Sequence, residues 1–147
     1  MSLPFRFSKV NCERKLVVPV VGASVHAGFP SPAEDYMDTE IDLNQELIKH
    51  PISTFLLRVR GDSMINAGIN DGDLLIVDRG INAEPGHIVI AALDGAFTLK
   101  RLTRESDVPK LESANPNYPS INIEDYDDIQ IWGVALYSIH QLTRAST

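Results

Sequence analysis

Two apolar runs, His87-Ile88-Val89-Ile90-Ala91-Ala92-Leu93 and Phe97-Thr98-Leu99-Lys100-Arg101-Leu102, meet across Asp94-Gly95. Asp-Gly in that position is a strong signal for a two-residue hairpin: a type I′ turn needs positive φ at both central residues, and these two residue types tolerate it. A hairpin there commits the flanking chain to antiparallel sheet, and the pattern spreads outward. Thr54-Phe55-Leu56-Leu57-Arg58-Val59-Arg60 ends at Gly61, Asp73-Leu74-Leu75-Ile76-Val77-Asp78 follows the turn Asn70-Asp71-Gly72, and Lys110-Leu111-Glu112 is a shorter run before Asn115-Pro116-Asn117. A long run from Ile129 to Ile139 comes last. Turn signals at roughly 8–12-residue spacing predict a mostly β chain, a small antiparallel barrel-like or sandwich domain. One short helix precedes it, with Asp42 as N-cap, Gln45 as capping-box partner, Leu43, Leu47 and Ile48 as an apolar stripe, and Pro51 as a stop.

The first part of the chain reads differently. Its one β-like run, Leu16-Val17-Val18-Pro19-Val20-Val21, holds a proline, which confines it to an edge strand or an extended arm. Ala27-Gly28-Phe29-Pro30-Ser31-Pro32 suits neither helix nor central strand, since each proline biases its predecessor to extended geometry. The expected division is an extended N-terminal arm over residues 1–40 and a folded domain over residues 41–147.

Charge and cysteine usage narrow the function. Thirteen Lys and Arg against 20 Asp and Glu give a net charge of −7, which repels phosphate backbones, so direct nucleic-acid binding is not expected. Cys12 stands alone, unable to form an internal disulfide or to build a cysteine zinc site, in keeping with a reducing cytoplasm. No metal or other cofactor is expected. Asn70-Asp71-Gly72-Asp73 lacks the downstream glutamate of a calcium loop and reads as a β-turn. No apolar run reaches membrane-spanning length, and the start lacks a signal-peptide core.

Three features gain meaning together. Ser63 follows a strand in Gly61-Asp62-Ser63-Met64, where glycine permits a tight turn. Lys100 lies in an alternating strand with Thr98 and Leu102 on its own face, while Phe97, Leu99 and Arg101 take the other. A lysine among apolar groups loses hydration of its charged form, so its amine can be neutral at cellular pH. Ala27 and Gly28 are small residues in an extended segment, and a nucleophile can approach the Ala27 carbonyl closely. Read singly, each feature is an ordinary turn, a solvated lysine or a linker. Read jointly, they are a Ser-Lys dyad with its substrate attached: Ser63 as nucleophile, Lys100 as general base, and the backbone amides of Asp62 and Ser63 as oxyanion donors. A Ser-His-Asp triad has little support, because His26, His50, His87 and His140 fall in the arm, at a helix end, at a strand start and near the C-terminus.

These strings, in this order, resemble the UmuD group of the LexA-like self-cleaving serine peptidases, over about residues 27–139. The motifs that carry the resemblance are Ala27-Gly28-Phe29-Pro30-Ser31-Pro32, Ile41-Asp42-Leu43-Asn44-Gln45, Gly61-Asp62-Ser63-Met64, Asp71 to Asp78, and Phe97 to Leu102. The resemblance implies a homodimer whose self-cleavage at Ala27–Gly28 is stimulated by the RecA–single-stranded-DNA filament after DNA damage. It further implies that the shortened form joins a UmuC-type polymerase in error-prone translesion synthesis. The stretch before the scissile bond is too short for the helix-turn-helix domain of a LexA repressor. Two other readings are a non-catalytic polymerase-interaction module on the same fold and a signal-peptidase-like enzyme, which would need a membrane anchor.

Overall fold

A computed structural model describes residues 7–10, 12–21, 27–28 and 37–143, and they fall into two units. The larger holds residues 7–10 and 52–143, the smaller residues 12–21, 27–28 and 37–51. In chain order the strands are β1 (Phe7–Lys9), β2 (Val17–Val21), β3 (Met37–Asp42), β4 (Thr54–Arg58), β5 (Leu74–Asp78), β6 (Ile88–Leu93), β7 (Ala96–Glu105), β8 (Val108–Glu112), β9 (Ile121–Asn122) and β10 (Ile129–Ile139), with one helix, α1 (Leu43–Leu47). The chain is therefore mostly β and antiparallel, as its turn spacing predicts.

In the larger unit eight strands form one sheet in the order β1-β4-β5-β10-β6-β7-β8-β9. The β6–β7 hairpin turns at Asp94 and Gly95, whose φ angles of 47° and 85° are those of a type I′ turn. Its register sets Val89 opposite Lys100 and Ala91 opposite Thr98. Asp94 and Asp128 tie this turn to the start of β10 by reciprocal bonds of 2.8 Å. A second tight hairpin turns at Ser106 and Asp107, with φ of 50° and 64°. It extends β7 beyond the expected Leu102 to Glu105 and pairs it with β8.

Both faces of this sheet are covered. Leu57, Met64, Leu75, Val77, Ile90 and Leu99 form one cluster, while Val89, Ala91, Leu93, Leu111 and Val134 form the other. The alternation along β6 divides the two, with Ile90 on one side and its neighbours Val89 and Ala91 on the other. Leu99 and Lys100 are adjacent and both buried for the same reason, since each face of β7 meets a packed layer.

The smaller unit is a two-stranded ribbon of β2 and β3 with α1 attached. Pro19 lies in β2 opposite Glu40, and the ribbon leaves it the edge position that its missing N–H demands. Asp42 caps α1: its Oδ1 accepts from the Asn44 amide and from the Leu16 amide, each at 3.0 Å. The helix ends at Leu47, one residue short of the last stripe position at Ile48, and buries none of its residues. No helix among the described residues is long and apolar enough to cross a membrane.

Candidate active site

β4 delivers the chain to the turn that carries Ser63. Val59 stays in register with the neighbouring loop, its amide on the Asp73 carbonyl and its carbonyl accepting from Gly72. Gly61 then takes φ of 91°, a value strained for any side chain, and donates to Asp71 Oδ1 at 2.7 Å. Met64 plunges into the core at 2% exposure, and the single turn Ile65–Ala67 closes on Gly68. Ser63 thus stands between an exposed Asp62 and a buried Met64. It opens on a cleft of about 230 Å³ shared with Arg60 and Gly61 and, from β7, with Phe97, Thr98 and Leu99.

Lys100 lies two residues beyond Thr98 on the same face of that strand and is 6% exposed. Burial pushes its amine below the usual lysine range, and no carboxylate among the described residues pairs with it. The amine is nonetheless satisfied, donating to Ser113 Oγ at 2.7 Å. It also lies 5.8 Å from the centroid of the Tyr118 ring.

The segment after β8 holds both sides of the site. Asn115, 8% exposed, donates from Nδ2 to the Asp62 carbonyl at 2.9 Å. The Tyr118 hydroxyl donates to Asp62 Oδ1 at 2.7 Å, and that carboxylate holds the phenol above its usual pKa. Ala114 accepts from the Asn66 amide at 2.8 Å and donates to Met64 Sδ at 3.3 Å. One short loop therefore grips the serine turn with Ala114, Asn115 and Tyr118 while Ser113 holds the lysine.

Of the residues singled out in the sequence, Asp62 and Ser63 lie on the turn after β4 and Lys100 on β7, all in the larger unit and linked through the loop that carries Ser113 and Asn115. Ala27 and Gly28 are exposed residues of the smaller unit. His26 lies outside the described residues. His140 Nδ1 meets Asp73 Oδ1 at 2.5 Å, but Ser138 bonds that same carboxylate directly, so imidazole and hydroxyl are not in series as a triad requires. Among the described residues no three His, Cys, Asp or Glu side chains converge as a metal site.

Ser113, Asn115 and Tyr118 were not singled out in the sequence. The signal for Ser113 was there in principle: a two-residue turn at Ser106-Asp107 fixes a register that sets Ser113 across from Lys100. Neither residue of that turn is glycine or asparagine, so the turn itself is hard to see.

Comparison with known proteins gives the family. Residues 19–136 match the peptidase S24-like family. The protein MucA of Salmonella typhimurium is 38% identical over 134 residues, covering 90% of this chain and 91% of its own. The protein ImpA of Salmonella typhimurium is 45% identical over 127 residues, 85% of each chain. A LexA repressor of Leptospira interrogans is 41% identical over 104 residues, which span 71% of this chain but only 51% of the repressor. The match runs from the proline-bearing ribbon strand into β10, taking in the serine turn and the buried lysine alike, and this chain belongs to the peptidase S24-like family.

Proposed function

We propose that this chain is a self-cleaving serine peptidase of the SOS mutagenesis type that cuts its own Ala27–Gly28 bond. Support comes above all from Lys100, an amine buried without a counter-ion among the described residues and held by the same loop that holds the Ser63 turn. Such an amine gives up its proton at a lower pH than an exposed lysine does, which suits it to act as a base.

The chemistry follows. The lone pair of neutral Lys100 takes the Ser63 hydroxyl proton as Oγ bonds to the Ala27 carbonyl carbon, and the oxyanion falls to backbone amides at Asp62 and Ser63. When the tetrahedral adduct collapses, the C–N bond to Gly28 breaks and the Gly28 nitrogen leaves with the proton from Lys100. Water then attacks the Ser63–Ala27 ester, Lys100 takes its proton, and Oγ recovers that proton as the acid departs. Small residues at 27 and 28 suit a peptide that must lie close against a nucleophile.

In this reading the protein is a cytoplasmic homodimer, and the RecA–single-stranded-DNA filament accelerates cleavage by binding the arm-docked state more tightly. Every ~1.4 kcal/mol of such preference shifts the population tenfold. The product that starts at Gly28 serves as accessory subunit of a UmuC-type translesion polymerase.

Purified wild-type protein, incubated across neutral to alkaline pH, should yield a fragment beginning at Gly28 by mass spectrometry. Below the amine's pKa the rate should rise about tenfold per pH unit. Ser63→Ala and Lys100→Ala should each leave the chain whole. A wild type that stays intact at every pH and with added filament would favour a non-catalytic polymerase-binding module instead.

A further inference from the structure

The hairpin of β7 and β8 pairs Leu102 with Leu111 and Arg101 with Glu112, so the next opposed positions are Lys100 and Ser113, one step past the end of β8. There the Lys100 amine donates to Ser113 Oγ at 2.7 Å. We propose that Ser113 is a positioning residue for the base: its hydroxyl takes one N–H of Lys100, which aims the remaining lone pair, and it does so without contributing charge. This inference rests on Lys100 being the general base.

The choice of a hydroxyl matters. A buried amine left without any acceptor carries the penalty of an unmade hydrogen bond. A carboxylate in the same place would remove that penalty but would stabilise the ammonium, locking the proton on the group that must accept one. A serine satisfies the donor and leaves the effect of burial intact. The amine also rotates freely about Cε–Nζ unless something holds it, and a single fixed acceptor removes that freedom.

Ser113 is itself fixed. Its successor Ala114 is bonded through both backbone groups, to Met64 Sδ and to the Asn66 amide, and Asn115 is bonded to the Asp62 carbonyl. These anchors lie on the turn that carries Ser63, so the hydroxyl holding the base is indexed to the backbone of the nucleophile. The other groups around the amine leave Ser113 as its polar partner. From β6 the opposed residue is apolar Val89, and from the loop the Tyr118 ring approaches while its hydroxyl is committed to Asp62. Arg101 and Glu112 are opposed to each other one position away, and they line a cavity that Ser113 and Tyr118 also line.

The test measures the lysine directly, by NMR titration of the Lys100 Nζ signal in the full chain carrying Ser63→Ala, with Lys100→Arg to assign it. Ser113→Asp should raise the titration midpoint by about one unit or more, and Ser113→Thr should keep it near that of the parent. With Ser63 restored, Ser113→Asp should move the pH–rate profile of self-cleavage to higher pH by the same interval. Ser113→Ala should lower the alkaline plateau at least tenfold, and Ser113→Thr should recover most of that loss. A midpoint and profile unchanged in Ser113→Asp would overturn the role of Ser113 while leaving Lys100 as base. Undiminished cleavage by Lys100→Arg would instead remove the base on which the proposal rests.

Discussion

At the scale of single residues, Asp73 shows how far a hydrogen-bond set can outweigh burial. Its side chain is almost wholly removed from water, which by itself raises a carboxyl pKa. The Asn70 amide at 2.8 Å, the His140 ring and the Ser138 hydroxyl at 2.9 Å outweigh that effect, and the pKa falls below its ordinary value. The folded protein then binds this proton less readily than the unfolded chain, so stability gained from Asp73 is present above about pH 4 and lost as pH falls through the lowered value. Asp73→Asn should cost about 2 kcal/mol near neutral pH, the scale of hydrogen bonds to a charged group, and should flatten the acid limb of a denaturant-midpoint-against-pH curve. An acid limb as steep as the wild type's would show that other carboxylates carry it. None of this was visible in the sequence. His140 reads there as a terminal residue, and its meeting with Asp73 depends on β5 and β10 lying side by side. Ser63 and Lys100, by contrast, could be picked out, because a glycine two residues before a serine and a charge inside an apolar alternation are local signals.

At the scale of elements, legibility followed turn chemistry. Asp94-Gly95 announces its hairpin, and the register it sets puts Lys100 opposite Val89. Ser106-Asp107 makes an equally tight turn without glycine or asparagine, so β7 looked shorter than it is and the partner of Lys100 went unseen. β1 is three residues long and owes its existence to β4, a tertiary pairing that local propensity does not encode. β10 was legible as a long apolar run, but its irregularities were not. Its register shifts between Ile131 and Gly133 against β6 and between Ala135 and Tyr137 against β5. The first shift lets Trp132 pack near Phe55 and Phe97, with Arg79 stacked over its ring at 4.6 Å. Gly133 is what the shift requires, because a Cβ there would stand 2.6 Å from Val77 Cγ1, a fully buried side chain without room to retreat. Gly133→Ala should therefore destabilise the larger unit by about 1–3 kcal/mol through overpacking. Urea unfolding should show a lower midpoint at unchanged slope, and a midpoint equal to the wild type's would mean that β10 slides past β5 more easily than its burial suggests.

At the scale of the whole molecule, the proposed cut has a structural consequence separate from its chemistry. The Ala27–Gly28 bond lies between β2 and β3, so the released piece contains both β1 and β2. β1 is the terminal strand of the eight-stranded sheet and pairs Phe7, Ser8 and Lys9 with Leu57, Leu56 and Phe55. β2 is the sole partner of β3 among the described residues, from Val17 against Asp42 to Val21 against Met37. Before cleavage the chain tethers these strands, and a tether acts as a local concentration of order millimolar. After cleavage the piece depends on pairing alone, at a net ~0.5–1.5 kcal/mol for each hydrogen bond, set against the entropy of ordering an otherwise free peptide. A two-stranded ribbon is marginal in water even when intact. The piece should therefore leave at micromolar concentration, baring the outer edge of β4 and all of β3. Hydrogen exchange followed by mass spectrometry on the fragment beginning at Gly28, beside full-length Ser63→Ala protein, should show lost protection in Thr54–Arg58 and in Met37–Asp42, with β6 and β10 unchanged. Bare strand edges are templates for pairing with another chain, so the same fragment should self-associate or accept a strand from a partner more readily than the uncut protein. Equal protection in the two proteins would mean that the cut piece stays bound, and that cleavage acts without exposing either edge.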